Sequence, residues 1–149
     1  MIIEIINKYD LDDIELCGSK SLPIFYSQSD LKFLLYDKNY IIYKAVIDNK
    51  FCGFFVGQIS DNRLHIMSFA VNPEFRRLKV GTNLINKIKD IYKNYYITLN
   101  VQQTNKDAIN FYLKNNFVHI GELKNYYSNL ENKDAFQMVF MKGLSDGIL

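Results

Sequence analysis

Apolar and polar positions change their spacing several times along the chain, and each change marks an element. Ile2 to Ile6 is a short β-branched run that reads as a first strand, and Asp10 to about Gly18 reads as a helix with acids in its first turn. Ser29 stands where it can cap a second helix, in which Leu31, Leu34 and Leu35 recur at i, i+3 and i+4 before Asp37-Lys38-Asn39 ends it. The apolar segment Ser21-Leu22-Pro23-Ile24-Phe25-Tyr26 joins the two helices. Loops that keep aromatics pack on something or bind something.

From Tyr40 the period becomes that of strands. Tyr40 to Ile47, Phe51 to Ser60 and Leu64 to Val71 are β-branched and aromatic runs separated by Asp48-Asn49-Lys50 and Asp61-Asn62-Arg63, which predicts an antiparallel meander. Asn72-Pro73-Glu74-Phe75 breaks the third run, because proline cannot donate to a ladder. Leu84, Ile85, Ile88 and Ile91 then mark one stripe of a helix over about residues 80 to 92, and Tyr95 to Val101 returns to strand. Thr104-Asn105-Lys106-Asp107 resembles a capping box, with Thr104 or Asn105 as the cap, opening a helix that carries Ala108, Ile109, Tyr112 and Leu113 up to Asn115-Asn116. Phe117 to Leu123 and Ala135 to Met141 complete the chain as two paired strands. The order is mixed α/β (α+β): a meander, a strand-helix-strand crossover and a terminal hairpin, about seven strands and about four helices in one domain over residues 1–149.

Composition narrows the class. The 149 residues suffice for one core, and 48% hydrophobic with 23% charged residues and two prolines excludes disordered and collagen-like chains. The apolar opening is too short, and is interrupted by Glu4, to serve as a secretory or spanning segment, so the expected location is cytoplasmic, with the nucleus open. Cys17 and Cys52 form no CxxC pair, and His65 and His119 form no HxxxH, so no metal site is expected. A net charge of +2 argues for neither nucleic acid nor membrane. Lysines outnumber arginines fifteen to three, so the adjacent Arg76 and Arg77 concentrate two of the three guanidinium groups in one turn.

That turn is the most informative part of the chain. In Phe69 to Leu84 a strand ends and a basic loop feeds a helix start, where unpaired amides and the positive end of the dipole favour an anion. Arg76, Arg77 and Lys79 add three charges, Gly81 permits close backbone approach and Thr82 offers a hydroxyl. Phosphate is the expected anion; a solvated basic loop is the other reading. Neither GxxxxGK[ST] nor GxGxxG is present.

Val71-Asn72-Pro73 followed by Arg76-Arg77-Leu78-Lys79-Val80-Gly81 resembles the V-x-P, R-x-x-G-x-G/A motif of the GCN5-related N-acetyltransferases, with Lys79 in place of the first glycine. Asn105-x-x-Ala108-x-x-x-Tyr112-x-x-x-Asn116-Phe117 is similar to that family's next block, with Asn116 in place of glycine. Leu22-Pro23-x-x-Tyr26, Arg63 to Met67, Leu99 to Gln102 and Lys124 to Tyr127 further resemble the NatE-type protein N-α-acetyltransferases. The resemblance implies acetyl-CoA as cosubstrate, held by Phe69, Ala70, Val71, Arg76, Arg77, Leu78, Lys79, Val80, Gly81, Thr82, Asn105, Ala108, Tyr112 and Lys114. It implies an acceptor chain end held by Leu22, Pro23, Tyr26, Met67, Tyr126 and Tyr127, the segment to Asn129 included. It also implies nascent or mature protein N-termini as partners, Met before a hydrophobic residue as the substrate, and a ribosome-associated auxiliary subunit.

The inherited base machinery, a tyrosine and a histidine in the NatE-type pattern, is replaced by His65 and Asn100. An α-amine of pKa about 7.7 to 8.0 is roughly a quarter neutral near pH 7.4, whereas a lysine amine near 10.4 is about one part in a thousand neutral, so a weak base suffices for the former. His65 is read as the base, Tyr112 as the acid that protonates the departing thiolate, and Asn100 as a group that orients water or amine. Two rivals stand beside this reading: acetylation of lysine or small amines, and a coenzyme-A-binding accessory subunit with little turnover.

Overall fold

Two tight turns with left-handed residues organise the middle of the chain. Strand β2 (Tyr40–Ile47) turns into β3 (Lys50–Ser60) through Asp48 and Asn49, at φ 50° and 62°. Asp and Asn tolerate this region, and such two-residue turns match the strand twist. β3 turns into β4 (Arg63–Val71) through Asp61, at φ 51°, and Asn62. The computed structural model describes residues 1–22, 25–127 and 130–140.

β1 (Ile2–Ile5) pairs antiparallel with β2. Helices α1 (Leu11–Ser21) and α2 (Gln28–Tyr36) lie between β1 and β2 in the chain. α3 (Val80–Ile91) carries the chain to β5 (Tyr96–Gln102), parallel to β4, and α4 (Lys106–Lys114) leads to β6 (Val118–Leu123). The last strand, β7 (Ala135–Phe140), inserts antiparallel between β5 and β6, so the seven-stranded sheet runs β1-β2-β3-β4-β5-β7-β6. This insertion is a long-range pairing that no local pattern predicts.

Several boundaries differ from the sequence reading, each for a local reason. Ser27, not Ser29, caps α2: its hydroxyl accepts from the Asp30 amide at 3.2 Å and the Asp30 carboxylate accepts from the Ser27 amide, a capping box. α1 runs three residues past Gly18, and a short 3-10 turn over Lys8–Asp10, capped by Asn7, precedes it. Ile91 and Leu113, expected on apolar stripes, are exposed, while Tyr92 is buried at the end of α3. β5 begins at Tyr96 because the Tyr95 amide closes back on Tyr92, and β6 begins at Val118 because Phe117 belongs to the end of α4.

The sheet separates two apolar layers. On one face α3 and α4 pack Leu84, Ile85, Ile88 and Tyr112 against Phe55, Leu64, Ile66, Ile97 and Leu99. On the other, α1 and α2 pack Ile14, Cys17, Leu31 and Leu34 against Phe54, Val56 and Ala70. Alternation along β3 sends Phe54 and Phe55 to opposite layers. Both cysteines are buried and reduced, and burial pushes the Cys17 thiol up to about 11.

The break that positions the site lies in the middle of this sheet. β4 and β5 are paired only from Arg63 with Tyr96 to Ile66 with Leu99. Across β3, the register shifts so that Gly57 faces Ile66 and Val56 faces Ser68, leaving Met67 as an extra residue. Beyond it β4 and β5 part, and a passage opens through the sheet.

Candidate active site

Proline ends β4 in the way the sequence predicts: Pro73 starts a 3-10 turn, and Asn72 ties the turn to β3 by donating from Nδ2 to the Phe51 carbonyl at 3.0 Å. The loop then enters α3 with two left-handed residues, Arg77 at φ 71° and Lys79 at φ 59°. The position where the resembling family has glycine therefore does require positive φ, and Lys79 takes it at a cost of roughly 1 kcal/mol or more. The first amides of α3 face a cavity of about 490 Å³ lined by Arg76, Arg77, Lys79, Val80, Gly81 and Thr82, by Phe69 to Val71, and by Asn105, Ala108, Phe111 and Tyr112. Three cations around a helix start suit a polyanion such as a diphosphate. Gly81 answers to a second constraint, since a Cβ there would meet the Phe111 ring at 3.2 and 3.3 Å and press α3 away from α4.

A narrower cavity of about 170 Å³ continues from the first into the gap between β4 and β5. Leu22, Phe69, Asn105, Ala108 and Tyr112 line both. Its walls come from both sheet faces: Ile66, Leu99 and Val101 from one, Met67, Ser68, Asn100, Gln102 and Tyr127 from the other. Leu130 completes it.

Tyr112 stands where the cavities meet because of how α4 ends. The Phe117 amide donates to the Tyr112 carbonyl and the Asn116 amide to that of Leu113, with Asn116 left-handed at φ 68°: a Schellman ending in which asparagine serves for glycine. Its usual apolar contact is the Phe117 ring edge-on to Tyr112 at 5.4 Å. Phe111 and Phe69 pack on the same ring at 5.3 and 6.3 Å. Lys89 of α3 donates to the Asn115 carbonyl and lies 4.2 Å from the Phe140 ring centroid, pinning the helix end. Tyr112 is 8% exposed, burial pushes its phenol far up, and the nearby Tyr127 adds to this, so the group remains a proton donor at any physiological pH. Tyr127 is itself pushed up to about 12 by burial, and its hydroxyl lies 3.5 Å from the Asn100 carbonyl.

His65 sits one step away. With Arg63, Met67, Thr98, Asn100 and Tyr126 it lines a third cavity of about 320 Å³, which shares Met67, Leu99 and Asn100 with the passage. Burial holds its imidazole below the ordinary value, and the Arg63 charge adds to this, so the ring is neutral near pH 7 and able to accept a proton. The structure thus brings Tyr112 and Asn100 to the passage itself and His65 to its flank. Asn105 caps α4, its Oδ1 accepting from the Ala108 amide at 3.2 Å while the residue lines both main cavities.

Other sequence-predicted positions vary. Leu78 and Lys114 are exposed and line neither main cavity. Tyr26 is half-buried beside Ser68, and burial raises its phenol. Tyr126 is exposed and edge-on to Tyr127 at 4.9 Å. Pro23, the Ser128-Asn129 end of the acceptor segment and Met141 lie outside the described residues. Among the cavity residues that carried no individual role in the sequence reading are Ser21, Phe111, Gln102 and Thr98. Phe111 falls inside the Ala108 to Tyr112 block and was findable there; Thr98 gains meaning only through the β4–β5 register. Among the described residues no group of three His, Cys, Asp or Glu side chains could hold a metal, and no helix is long and apolar enough to cross a membrane.

Comparison with known proteins agrees with this geometry. The model of the Acetyltransferase (GNAT) family matches residues 4–117. An N-alpha-acetyltransferase of Sulfolobus acidocaldarius is 29% identical over 145 residues, covering 87% of this chain and 85% of its own. N-alpha-acetyltransferase 50 of Danio rerio is 38% identical over 82 residues, 51% of this chain and 48% of its own. The fold superposes on Arabidopsis thaliana Naa50, solved in complex with the bisubstrate analogue CoA-Ac-MVNAL, with a TM-score of 0.80 at 22% identity over 93% of this chain and 97% of that one. A basic helix start, a split sheet and a buried tyrosine at their junction, together with the match over residues 4–117, establish that this chain belongs to the Acetyltransferase (GNAT) family.

Proposed function

We propose that the protein acetylates the α-amine of protein chains that begin with Met followed by a hydrophobic residue. That it is an acetyl-CoA-dependent N-acetyltransferase follows from its family. N-alpha-acetyltransferase relatives support protein N-termini as the acceptor. The observation that carries the reading is the continuous passage from the basic α3 start to the gap between β4 and β5, with Tyr112 at the junction.

Acetyl-CoA supplies a thioester carbonyl and a thiolate leaving group. Arg76, Arg77, Lys79 and the first α3 amides hold its diphosphate, and Ala108, Phe69 and Phe111 wall the arm that leads to the passage. Leu22, Met67, Tyr127 and Leu130 surround the acceptor's first residue from the other side and exclude water. Asn100 orients the amine or a water beside it, and His65 takes the proton that the amine sheds as its C–N bond forms. Tyr112 gives its proton to the sulfur as the C–S bond breaks. Proton count balances: one leaves the amine for His65, one leaves Tyr112 for the thiolate, and solvent restores both groups.

The test is acetyl transfer from acetyl-CoA to a panel of Met-Leu peptides, peptides with blocked N-termini and internal lysines, and polyamines. Preference for Met-Leu supports the proposal. Preference for lysine or polyamine overturns the acceptor assignment, and acetyl-CoA binding with no transfer to any member favours the accessory-subunit reading.

A further inference from the structure

His65 is held by a neighbour that the sequence reading gave no role. Its Nδ1 lies 2.7 Å from Thr98 Oγ1, and the two residues are direct partners across the parallel β4–β5 pair. Leu64 and Ile66 on β4, like Ile97 and Leu99 on β5, point into the α3–α4 layer, so alternation places His65 and Thr98 together on the opposite face. That face is open here: both line the cavity of about 320 Å³ that borders the passage.

The contact admits two proton arrangements with opposite consequences. If the Thr98 hydroxyl donates to Nδ1, the neutral ring carries its proton on Nε2 and has no lone pair to offer the cavity. If Nδ1–H donates to the hydroxyl, Nε2 on the far side of the ring is the free acceptor. Only the second lets His65 act as a base. It also improves during the reaction, because an imidazolium is a stronger donor to Thr98 than the neutral ring.

We propose that Thr98 is a positioning residue that accepts a hydrogen bond from His65 Nδ1–H, fixing the tautomer and ring orientation in which Nε2 takes the proton of the incoming amine. The proposal rests on the reading of His65 as the proton acceptor. Around the imidazole, Arg63 of its own strand and Tyr126 of the β6–β7 connection are the titratable groups among the described cavity residues. β3 contributes Gln58, β5 contributes Asn100 and β7 contributes Gln137, all uncharged. Nothing in that set supplies a carboxylate to orient the ring, which leaves the task to Thr98.

The chain has two histidines, so the imidazole nitrogen spectrum of the uniformly 15N-labelled protein is readable, with His65→Gln identifying His65 by loss of its signals. The spectrum of the wild type at neutral pH is expected to show His65 protonated on Nδ1, and Thr98→Val to lose that state. In parallel, Thr98→Val should lower kcat about tenfold with KM for acetyl-CoA unchanged, and should move the acid limb of the kcat profile to lower pH as the imidazolium loses its acceptor. Thr98→Ser, which keeps the oxygen, should stay within about twofold of wild type. A wild-type His65 protonated on Nε2 overturns the proposal, and so does Thr98→Val with unchanged kcat and acid limb. An Nδ1–H tautomer in an enzyme indifferent to His65→Gln would instead overturn the base assignment, and with it the catalytic use of Thr98.

Discussion

Replacing Tyr112 by Phe separates chemistry from structure at one atom. The ring is held by Phe69, Phe111 and Phe117 at 6.3, 5.3 and 5.4 Å, contacts that Phe retains. No described residue hydrogen-bonds the hydroxyl, so its removal orphans no partner and should change stability by less than about 1 kcal/mol. Loss of a general acid costs about 10²-fold or more in rate, near 3 kcal/mol at 1.36 kcal/mol per decade. The expected result is kcat lowered about a hundredfold, with Tm and the Kd for acetyl-CoA nearly unchanged. Thiol release under saturating substrate, beside calorimetric titration with acetyl-CoA, reads the two quantities. The pH dependence follows from the same groups. Tyr112 is raised far above its ordinary value and stays protonated, so it imposes no alkaline fall in kcat up to about pH 10; His65 is lowered, so its own protonation lowers kcat only below about pH 6.5, beneath the fall that protonation of the acceptor amine imposes on kcat/KM below about pH 8. A Tyr112→Phe enzyme within twofold of wild type in kcat, or one that loses acetyl-CoA binding instead, would refute the acid role.

Further tests address the cradle and its support. Arg76→Ala or Arg77→Ala, each lining the cavity at the α3 start, should raise KM for acetyl-CoA about tenfold with little change in kcat if, as proposed, each makes charge-assisted bonds to the diphosphate. Lys79→Gly should relieve about 1 kcal/mol of left-handed strain, offset in part by glycine's added freedom when unfolded, so Tm should hold or rise slightly while acetyl-CoA affinity falls a few-fold; a clear drop in Tm would contradict the strain argument. Gly53→Ala would place a Cβ 2.6 Å from the Ala70 carbonyl in the middle of the sheet, and should cost about 1–3 kcal/mol in urea unfolding. Lys89→Met keeps the apolar stem but removes the donor to Asn115 and the cation beside Phe140, so about 1–2 kcal/mol of stability should be lost, read by the same unfolding midpoint.

The elements of this fold were legible where local chemistry decides them. Asp48-Asn49, Pro73 and the Asn105 cap each dictate a backbone conformation by themselves, and the helices and strands around them followed. The Ser27 box was hidden because Ser29 offers the same hydroxyl two residues later, and only the Asp30 partner distinguishes them. Ile91 and Leu113 match a helical period but lie at its rim, where a stripe of fixed width runs out of core to face. The site divides in the same way. Arg76, Arg77 and Lys79 stand in one contiguous turn and Tyr112 in a spaced block, so the sequence alone could single out these lining residues of one cavity. The passage could not be read in this way, because it depends on β4 and β5 parting after Ile66, a consequence of the register shift at Met67 and of β7 pairing from the far side. Thr98 was invisible for the same reason: its partner is 33 residues away.

The central claim is that a cosubstrate from the α3 side and a chain end from the opposite face meet at Tyr112. It is tested most directly by calorimetric titration with CoA joined through an acetyl bridge to the α-amine of a Met-Leu peptide. Simultaneous use of both cavities predicts binding at least about tenfold tighter than acetyl-CoA, or 1.4 kcal/mol, with the gain lost when the same peptide is attached through a lysine side chain. Affinity no better than that of acetyl-CoA, or equal for the two attachments, would contradict it.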